Sequence, residues 1–501
     1  YLEEAEQEES VKAQLYKLRA DSKNLSPEDI KFIDPCMGSG HIIVYAFDVL
    51  MQIYLSQGYT ERDATSLIVT KNLFGADIDK RAYQLAYFAL MMKARQYDRR
   101  FLTREIKPNL CNLQDIAEID ASKLTGELGA FARQFADCDT YGSLIEVQQF
   151  DTDKIKALID DYEENLDTIG YTEFLPKMLG AYKIFAQKYD VCCTNPPYMG
   201  GSGMNVTLTD YVKEKYHDSK SDLFAVFIER CGQLAKANGF YAMITQHAWM
   251  FLSSYEKLRE KLMLKTTMNM AHLGARAFDE IGGEVVQTTA FVNYNSHIAK
   301  YKGTYARLVD IVGENEKKEA FLGGEYRHAA KQENFSKIPG APVAYWVSEN
   351  FINTFDYPTI DDFASTNNGF TTGDNDKFLR LWYEVNNSSI CLNNPNFESL
   401  GDITAKWFPY NKGGNYRKWY GNNEYLINWG DNGKEIKEYG HLVPRSMKYQ
   451  FRESVSWNKI TSGANGFRYK PTGQMFDVGG LSMFAKSHDM LLYLMAICNS
   501  V

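Results

Sequence analysis

The sequence predicts an α/β fold in which a sheet domain with a helical insertion is followed by a mixed α/β domain, and three segments carry that expectation. Residues 30–34, Ile-Lys-Phe-Ile-Asp, run through Pro35-Cys36-Met37-Gly38-Ser39-Gly40-His41 into the apolar stretch 42–54, the pattern of a short strand, a glycine-bracketed turn and a helix. A second apolar run, Leu73-Phe74-Gly75-Ala76, ends on Asp77-Ile78-Asp79 and leads into helical periodicity at Tyr83, Ala86 and Leu90, the spacing of a βαβ unit. A third, Tyr189-Asp190-Val191-Cys192-Cys193-Thr194, ends on Asn195-Pro196-Pro197-Tyr198. Strands alternating with helices make the sheet Rossmann-like.

Each turn carries its own chemistry. Gly38 and Gly40 let the backbone approach a ligand closely, and a helix beginning near His41 offers free N–H groups to an anionic or polar group. A full dinucleotide fingerprint needs a third glycine, and Ile43 stands in its place, which argues against a nicotinamide or flavin cofactor. Asp77, at the carboxyl end of its strand, is placed to accept both hydroxyls of a ribose. Asp79 reads as the cap of the following helix, although a cap is the alternative for either aspartate.

Asn195-Pro196-Pro197-Tyr198 points to methyl transfer onto a planar amide or amino nitrogen. Such a nitrogen is a poor nucleophile because its lone pair is delocalised, so its hydrogens must be drawn into acceptors and its plane held. The Asn195 side-chain oxygen and the Pro196 carbonyl supply two acceptors, Pro196 and Pro197 stiffen the turn, and the Tyr198 ring can stack on the target plane. Asn-Pro-Pro is also ordinary turn chemistry, so the motif gains its meaning from the glycine loop upstream.

Asp-Pro-x-x-Gly-Ser-Gly at 34–40, Gly-x-Asp-x-Asp at 75–79 and Asn-Pro-Pro-Tyr at 195–198, in this order, resemble the gamma group of S-adenosylmethionine-dependent DNA adenine-N6 methyltransferases. The stretches 34–48, 220–230 and 272–290, with Thr372-Gly373-Asp374-Asn375 and 406–414, are similar to the PglX family of BREX phage-defence systems. The likeness covers essentially the whole chain. It implies a Rossmann-like methyltransferase sheet, S-adenosyl-L-methionine as cofactor, and transfer of its methyl group to a flipped adenine in double-stranded DNA, marking self DNA. It also implies other BREX proteins as candidate partners and no metal. Carried over residue by residue, it assigns Asn195, Pro196, Pro197 and Tyr198 to catalysis and Asp34, Pro35, Cys36, Gly38, Ser39, Gly40, His41, Asp77 and Ile78 to the cofactor. A third strand is expected to end at Asn112-Leu113-Gln114-Asp115. A polar side chain there suits the cofactor's adenine, Asp115 first and Asn112 close behind, against a plain helix cap.

Family members are much longer, and the 501-residue chain reads as cut at both ends: it opens on Tyr1 rather than Met, and 491–501 stop inside an apolar helix pattern. A Thr-Pro segment that closes over the cofactor in the gamma enzymes is not found before Asp34. The expected domains are a methyltransferase domain, 1–338, with a helical insertion at about 116–185, and the N-terminal part of a target-recognition domain, 339–501, joined at Pro339-Gly340-Ala341-Pro342. Tyr141-Gly142-Ser143-Leu144, inside the insertion, has no chemistry that spacing assigns. Gly200-Gly201-Ser202-Gly203 and the polar stretch 213–220 read as a loop, either a surface connection or one that orders on DNA. Helices are expected at 222–234 and 253–264, a strand at 239–245, and closing strands at 271–274 and 285–294.

The net charge of −9 by itself disfavours DNA, but charge is uneven. Residues 151–167 are acidic, whereas 401–501 hold 13 Lys+Arg against 8 Asp+Glu. Lys406, Trp407, Tyr410, Lys412, Tyr416, Arg417, Lys418, Trp419 and Tyr420 interleave cations and aromatics as phosphate contact requires, the alternative being a solvated β-rich surface. The 8 cysteines show no metal-ligand spacing, and no apolar run of about 18 residues or signal peptide is recognisable. A reduced, cytoplasmic protein without membrane contact is the economical expectation. Three rival functions stand beside adenine methylation. They are glutamine-N5 methylation of protein, whose enzymes are compact, the methylating part of a fused restriction enzyme, and a silent DNA-binding defence scaffold.

Overall fold

A computed structural model describes residues 6–21, 25–278, 286–392, 404–461 and 463–500. Within the 272–290 stretch that carries part of the family likeness, 279–285 lie outside the described residues, as do the termini Tyr1 and Val501. The chain forms two compact units, Tyr1–Thr354 and Phe355–Val501.

The first unit runs α1 Glu9–Asp21, β1 Phe32–Asp34, α2 His41–Ser56, α3 Glu61–Leu67, β2 Leu73–Asp77, α4 Lys80–Tyr97 and β3 Asn109–Asn112. Five helices follow before the chain returns to the sheet: α5 Leu113–Ala117, α6 Gly126–Arg133, α7 Cys138–Tyr141, α8 Thr152–Asp160 and α9 Tyr171–Phe185. Then come β4 Tyr189–Thr194, α10 Val206–Lys215, α11 Leu223–Leu234, β5 Ala235–Gln246, α12 Glu256–Leu262, β6 Thr266–Gly274, β7 Thr288–Tyr294, β8 Lys302–Arg307 and β9 Arg327–Lys331. The strand order is β3-β2-β1-β4-β5-β7-β6-β8-β9. Strands β1 to β5 are parallel, and β7 is antiparallel between β5 and β6. This is a Rossmann-like sheet with an antiparallel strand set into its far half.

Strand periodicity explains how the sheet is covered. Phe32 and Ile33, neighbours on β1, face opposite sides. Phe32 packs with Phe47, Tyr54, Leu90 and Phe101 of the α2–α4 layer, and Ile33 with Phe131, Tyr182, Phe224 and the insertion helices. The chain moves outward from β1 to β3 and returns to β4 on the other side of β1, so the order reverses between β1 and β4. In open α/β sheets, such a switch point leaves a crevice at the carboxyl ends of the strands. Asp34 and Thr194 both end there.

Three expectations need revision. The composition break at 339–342 is a turn strapped onto the first unit. Arg259, 1% exposed, donates to the Gly340, Trp249 and Leu252 carbonyls, Val343 N–H donates to Met250, and Tyr345 stacks on Tyr305 at 4.8 Å. The units therefore divide after Thr354, later than the expected 338/339 boundary. Residues 206–215, partly inside the expected loop, form α10, which Asn205 caps through Leu208 N–H at 2.8 Å. Strand β6 begins at Thr266, before the expected 271, its burial alternating along its length.

The second unit contains two four-stranded sheets. Its strands are β10 Ala364–Asn367, β11 Leu379–Leu381, β12 Trp407–Asn411, β13 Tyr425–Asn428, β14 Ser454–Asn458, β15 Arg468–Lys470, β16 Met475–Phe476 and β17 Gly480–Ala485. One sheet is ordered β10-β17-β14-β15, the other β11-β13-β12-β16. Phe370, Phe378, Phe408, Ile427 and Trp429 fill one core, while Val455 and Met483 pack with Leu491 and Leu494 of the helix His488–Asn499. Among the described residues no helix is long and apolar enough to cross a membrane.

Candidate active site

The loop from Asp34 to His41 is sewn into the crevice by its backbone. Asp34, 1% exposed, accepts from Thr194 Oγ1 at 2.6 Å and from Cys36 N–H at 3.1 Å, both through Oδ1. The first bond ties the ends of β1 and β4 together. Oδ2 of Asp34 is buried with no hydrogen-bond partner, and burial pushes the carboxyl up to about 7. Met37 N–H donates to Ala76 and Gly38 N–H to Asp77 Oδ2 at 2.9 Å. Gly40 has φ +87°, and a Cβ there would sit 2.9 Å from Ala86 Cα on α4. Only glycine lets α2 start at His41 with α4 so close. Ser39 Oγ and His41 Nδ1 are 2.9 Å apart on the exposed side of the turn.

Asp77 closes the loop from β2. One carboxylate oxygen holds Gly38 N–H and the other Asp79 N–H at 2.8 Å. Asp79 caps α4 through Arg81 N–H and Ala82 N–H, which hold its carboxyl below the usual range. Asn112 and Asp115 are used differently. Asn112 Oδ1 caps α5 through Asp115 N–H at 2.8 Å. Asp115 pairs with Lys80 at 2.8 Å and Lys177 at 3.2 Å. Burial alone would raise its carboxyl, but the two lysines outweigh it and lower it. Neither side chain lines the cavity described next, nor do Asp34, Gly38, Ser39, Gly40, His41 and Tyr198.

Beyond Thr194, Asn195 and Pro197 are exposed, Pro196 is buried and Tyr198 half-buried. The Tyr198 ring lies edge-on to Phe224 at 6.0 Å, its hydroxyl faces the Ile244 carbonyl at 3.4 Å, and burial pushes that hydroxyl up to about 12. Asp222 anchors the far side of the loop. Its Oδ1 accepts from Met199 N–H at 3.0 Å and from Phe224 N–H at 3.3 Å, capping α11, and Leu223 N–H returns a bond to the Met199 carbonyl. An aspartate just before an apolar helical run is a capping signal, so the cap was visible in the sequence. Its second bond, to the Asn195 loop, was not.

A cavity of about 320 Å³ lies between these loops. Pro35 and Cys36, Asp77 and Ile78, and Asn195, Pro196 and Pro197 line three of its sides. Thr140, Tyr141, Gly142, Ser143 and Leu144 line another, although no spacing in the sequence marked them. The crevice thus joins the Pro35-Cys36 start of the glycine loop, a strand-end carboxylate and the Asn-Pro-Pro edge in one space. Among the described residues no three His, Cys, Asp or Glu side chains gather to hold a metal ion.

The chain matches the family described as Eco57I restriction-modification methylase over residues 71–275. It is 42% identical to the adenine-specific methyltransferase PglX of Lacticaseibacillus casei (strain Zhang), over 100% of this chain and 44% of that protein. It is 40% identical to the adenine-specific methyltransferase BrxX of Escherichia coli O9:H4 (strain HS), over 98% of this chain and 43% of that protein. The chain therefore spans less than half the length of these curated relatives. The solved structure of a nuclease-deletion mutant of the Type ISP restriction-modification enzyme LlaGI, in complex with a DNA substrate mimic, matches over 97% of this chain and 42% of that one. Its TM-score is 0.51 at 13% identity, a likeness of fold alone. Sequence identity along the whole chain, together with the three motifs gathered in one crevice, makes the chain a member of the PglX and BrxX family of adenine-specific methyltransferases.

Proposed function

We propose that the chain carries the catalytic centre of a site-specific DNA adenine-N6 methyltransferase that uses S-adenosyl-L-methionine and marks self DNA in a BREX phage-defence system. The observation that carries this reading is the shared cavity at the switch point, lined by Asn195, Pro196 and Pro197 together with Pro35, Cys36, Asp77 and Ile78.

The residues fit the cofactor. Asp34 Oδ2 is buried and unpartnered, an acceptor suited to an ammonium group. A Cβ on Gly38, with φ +51°, would meet nothing within 4 Å, so the backbone is bare towards the opening. Asp77 retains acceptor capacity on both oxygens for a ribose, and Ile78, 47% exposed beside it, offers an apolar face to a base. Pro35, Cys36, Ser39, Gly40 and His41 complete the loop and its helix N-terminus. Asn112, whose Nδ2 is buried and unpartnered, and Asp115 stay the candidates for the cofactor's adenine at the β3–α5 corner.

Bound there, S-adenosyl-L-methionine supplies an electrophilic methyl group. The protein's part is positioning. Asn195 Oδ1 and the Pro196 carbonyl accept the two N6 hydrogens of a flipped adenine and turn its lone pair towards the cavity, Pro196 and Pro197 hold that edge rigid, and the Tyr198 ring stacks on the base. Duplex DNA is the proposed partner, with other BREX proteins as further partners of the complete system. In the second unit, Tyr410 hydrogen-bonds Asp477 from the core and Lys418 holds the Asn499 carbonyl, whereas Tyr416, Trp419 and Tyr420 stay exposed. That exposed subset is proposed to meet the DNA.

Incubation of the chain with tritiated S-adenosylmethionine and duplex DNA tests the reading. N6-methyladenine should appear in the DNA; methylglutamine in protein instead, or base binding without turnover, would overturn it.

A further inference from the structure

Segment 140–144 lines the cavity together with Pro35, Asp77, Ile78 and Asn195, yet it belongs to the insertion between β3 and β4 rather than to the motif loops. We propose that this segment is the outer wall of the cofactor pocket, and that Ser143, Arg230 and Tyr211 are the positioning residues that hold it closed. The proposal rests on the reading of the cavity as an S-adenosylmethionine site.

Three clasps hold the wall. Ser143 Oγ donates to the Pro35 carbonyl, joining the wall to the cofactor loop. Arg230 reaches from α11, its Nε donating to the Ser143 carbonyl at 2.8 Å and its Nη2 to the Ile145 carbonyl. Tyr211 of α10 stacks on Tyr141, ring centroids 4.1 Å apart and planes 20° apart, while its hydroxyl donates to the Leu144 carbonyl at 2.9 Å. Arg230 is only 5% exposed. Burying a guanidinium is costly, and here its fork is spent on the carbonyls of one loop, where the planar donors suit two acceptors at once. Such an arrangement fixes a backbone position more than it adds stability.

The wall also has a shape requirement at its centre. Gly142 has φ +56°, and a Cβ built on it would lie 3.1 Å from Ile78 Cγ2. Ile78 is the apolar residue next to the proposed ribose acceptor. A bare Gly142 lets the wall close directly onto Ile78, and any side chain would push the two apart while straining the backbone. Wall and loop together enclose the cofactor cavity, and α10, which supplies Tyr211, follows directly on the Asn195 loop.

The test uses the full chain, with calorimetric binding of S-adenosylhomocysteine and initial rates of methyl transfer to DNA. Gly142→Ala and Arg230→Met are expected to weaken S-adenosylhomocysteine binding about tenfold and to raise KM for S-adenosylmethionine equally, with kcat and KM for DNA within about twofold. Arg230→Lys, which keeps the charge but loses the fork, should recover little. Tyr211→Phe, which keeps the stack and loses one hydrogen bond, should cost about threefold. Should Arg230→Met fail to fold, Gly142→Ala and Tyr211→Phe decide the matter. If the parent chain binds the ligand and these folded variants bind it equally well, the wall is overturned and the cofactor site stands. If the parent chain does not bind S-adenosylhomocysteine, the cofactor reading and the wall fall together.

Discussion

Both units hold a loop in place with a buried cation, and they do so with different residues. In the first unit Arg230 fixes the 142–145 backbone over the crevice. In the second, Lys470, 1% exposed, donates to the Gly421 and Asn422 carbonyls at 2.8 and 2.9 Å and to Asn423 Oδ1 at 2.6 Å. The loop it holds presents Tyr416, Trp419 and Tyr420 outward, Trp419 with a left-handed φ of +72°, a strained conformation for a bulky residue. A guanidinium stays charged at any ordinary pH, whereas a buried ammonium is free to shed its proton. The enclosed loop is thus held unconditionally, and the exposed one is held in a way that pH can loosen.

If the first region does chemistry and the second presents a surface, single changes should separate them. Asn195→Ala should lower methyl transfer by about a thousandfold, because it removes an acceptor used in the transition state. Its DNA affinity in gel shift and its S-adenosylhomocysteine affinity should stay within about twofold. Trp419→Ala should do the reverse, weakening DNA binding by about tenfold, the scale of one lost aromatic platform, with cofactor affinity unchanged. Equal losses of transfer and DNA binding in both variants would erase the distinction between the regions.

Asp34 adds a pH signature to the first region. Burial holds its carboxyl at about 7, and the ammonium of the cofactor is matched by the ionised form. Ionisation increases as pH rises, so S-adenosylhomocysteine affinity should improve up to about tenfold between pH 6 and pH 8. Asp34→Asn should bind more weakly and show a flat profile over the same range.

What the sequence made legible was local. The start of α2 at His41, the end of β2 at Asp77 and the cap at Asp79 follow from glycines, apolar runs and a capping aspartate within a few residues of one another. The parts that escaped depend on partners far along the chain. Ser143 acquires a role only because Pro35 lies against it, and Gly142 only because Ile78 does. Asp115 sits at the strand end that the sequence marks, but only the fold shows that Lys80 and Lys177 pair with its carboxylate, one from α4 and one from α9. In the same way Pro339-Gly340 looked like a linker because composition cannot show that Arg259, on α12, binds the Gly340 carbonyl. The basic, aromatic stretch 406–420 had to be divided by burial, since Tyr410 and Trp419 are indistinguishable by residue type yet one is core and the other surface.

The smallest effect tests the second region's clamp directly. Burial, with Arg468 nearby, lowers the Lys470 amine from 10.5 to about 7. The folded chain therefore gives up this proton at a lower pH than the unfolded chain, and between about pH 7 and pH 10.5 the unfolded state binds more protons. Stability of the second unit should rise with pH across that window and fall again as pH drops towards 7. The gain has a structural cost, because a neutral amine has two hydrogens to offer where the charged one has three, so one of the three contacts to 421–423 loses its donor. Melting temperature should therefore climb by a few degrees from pH 7 to pH 9 while proteolysis near Trp419 speeds up. In Lys470→Met the pH slope of the melting temperature should flatten and proteolysis should be fast at both pH values. A parent chain whose loop is cut equally slowly at pH 7 and pH 9 would show that Lys470 keeps its proton and that the two clamps are alike.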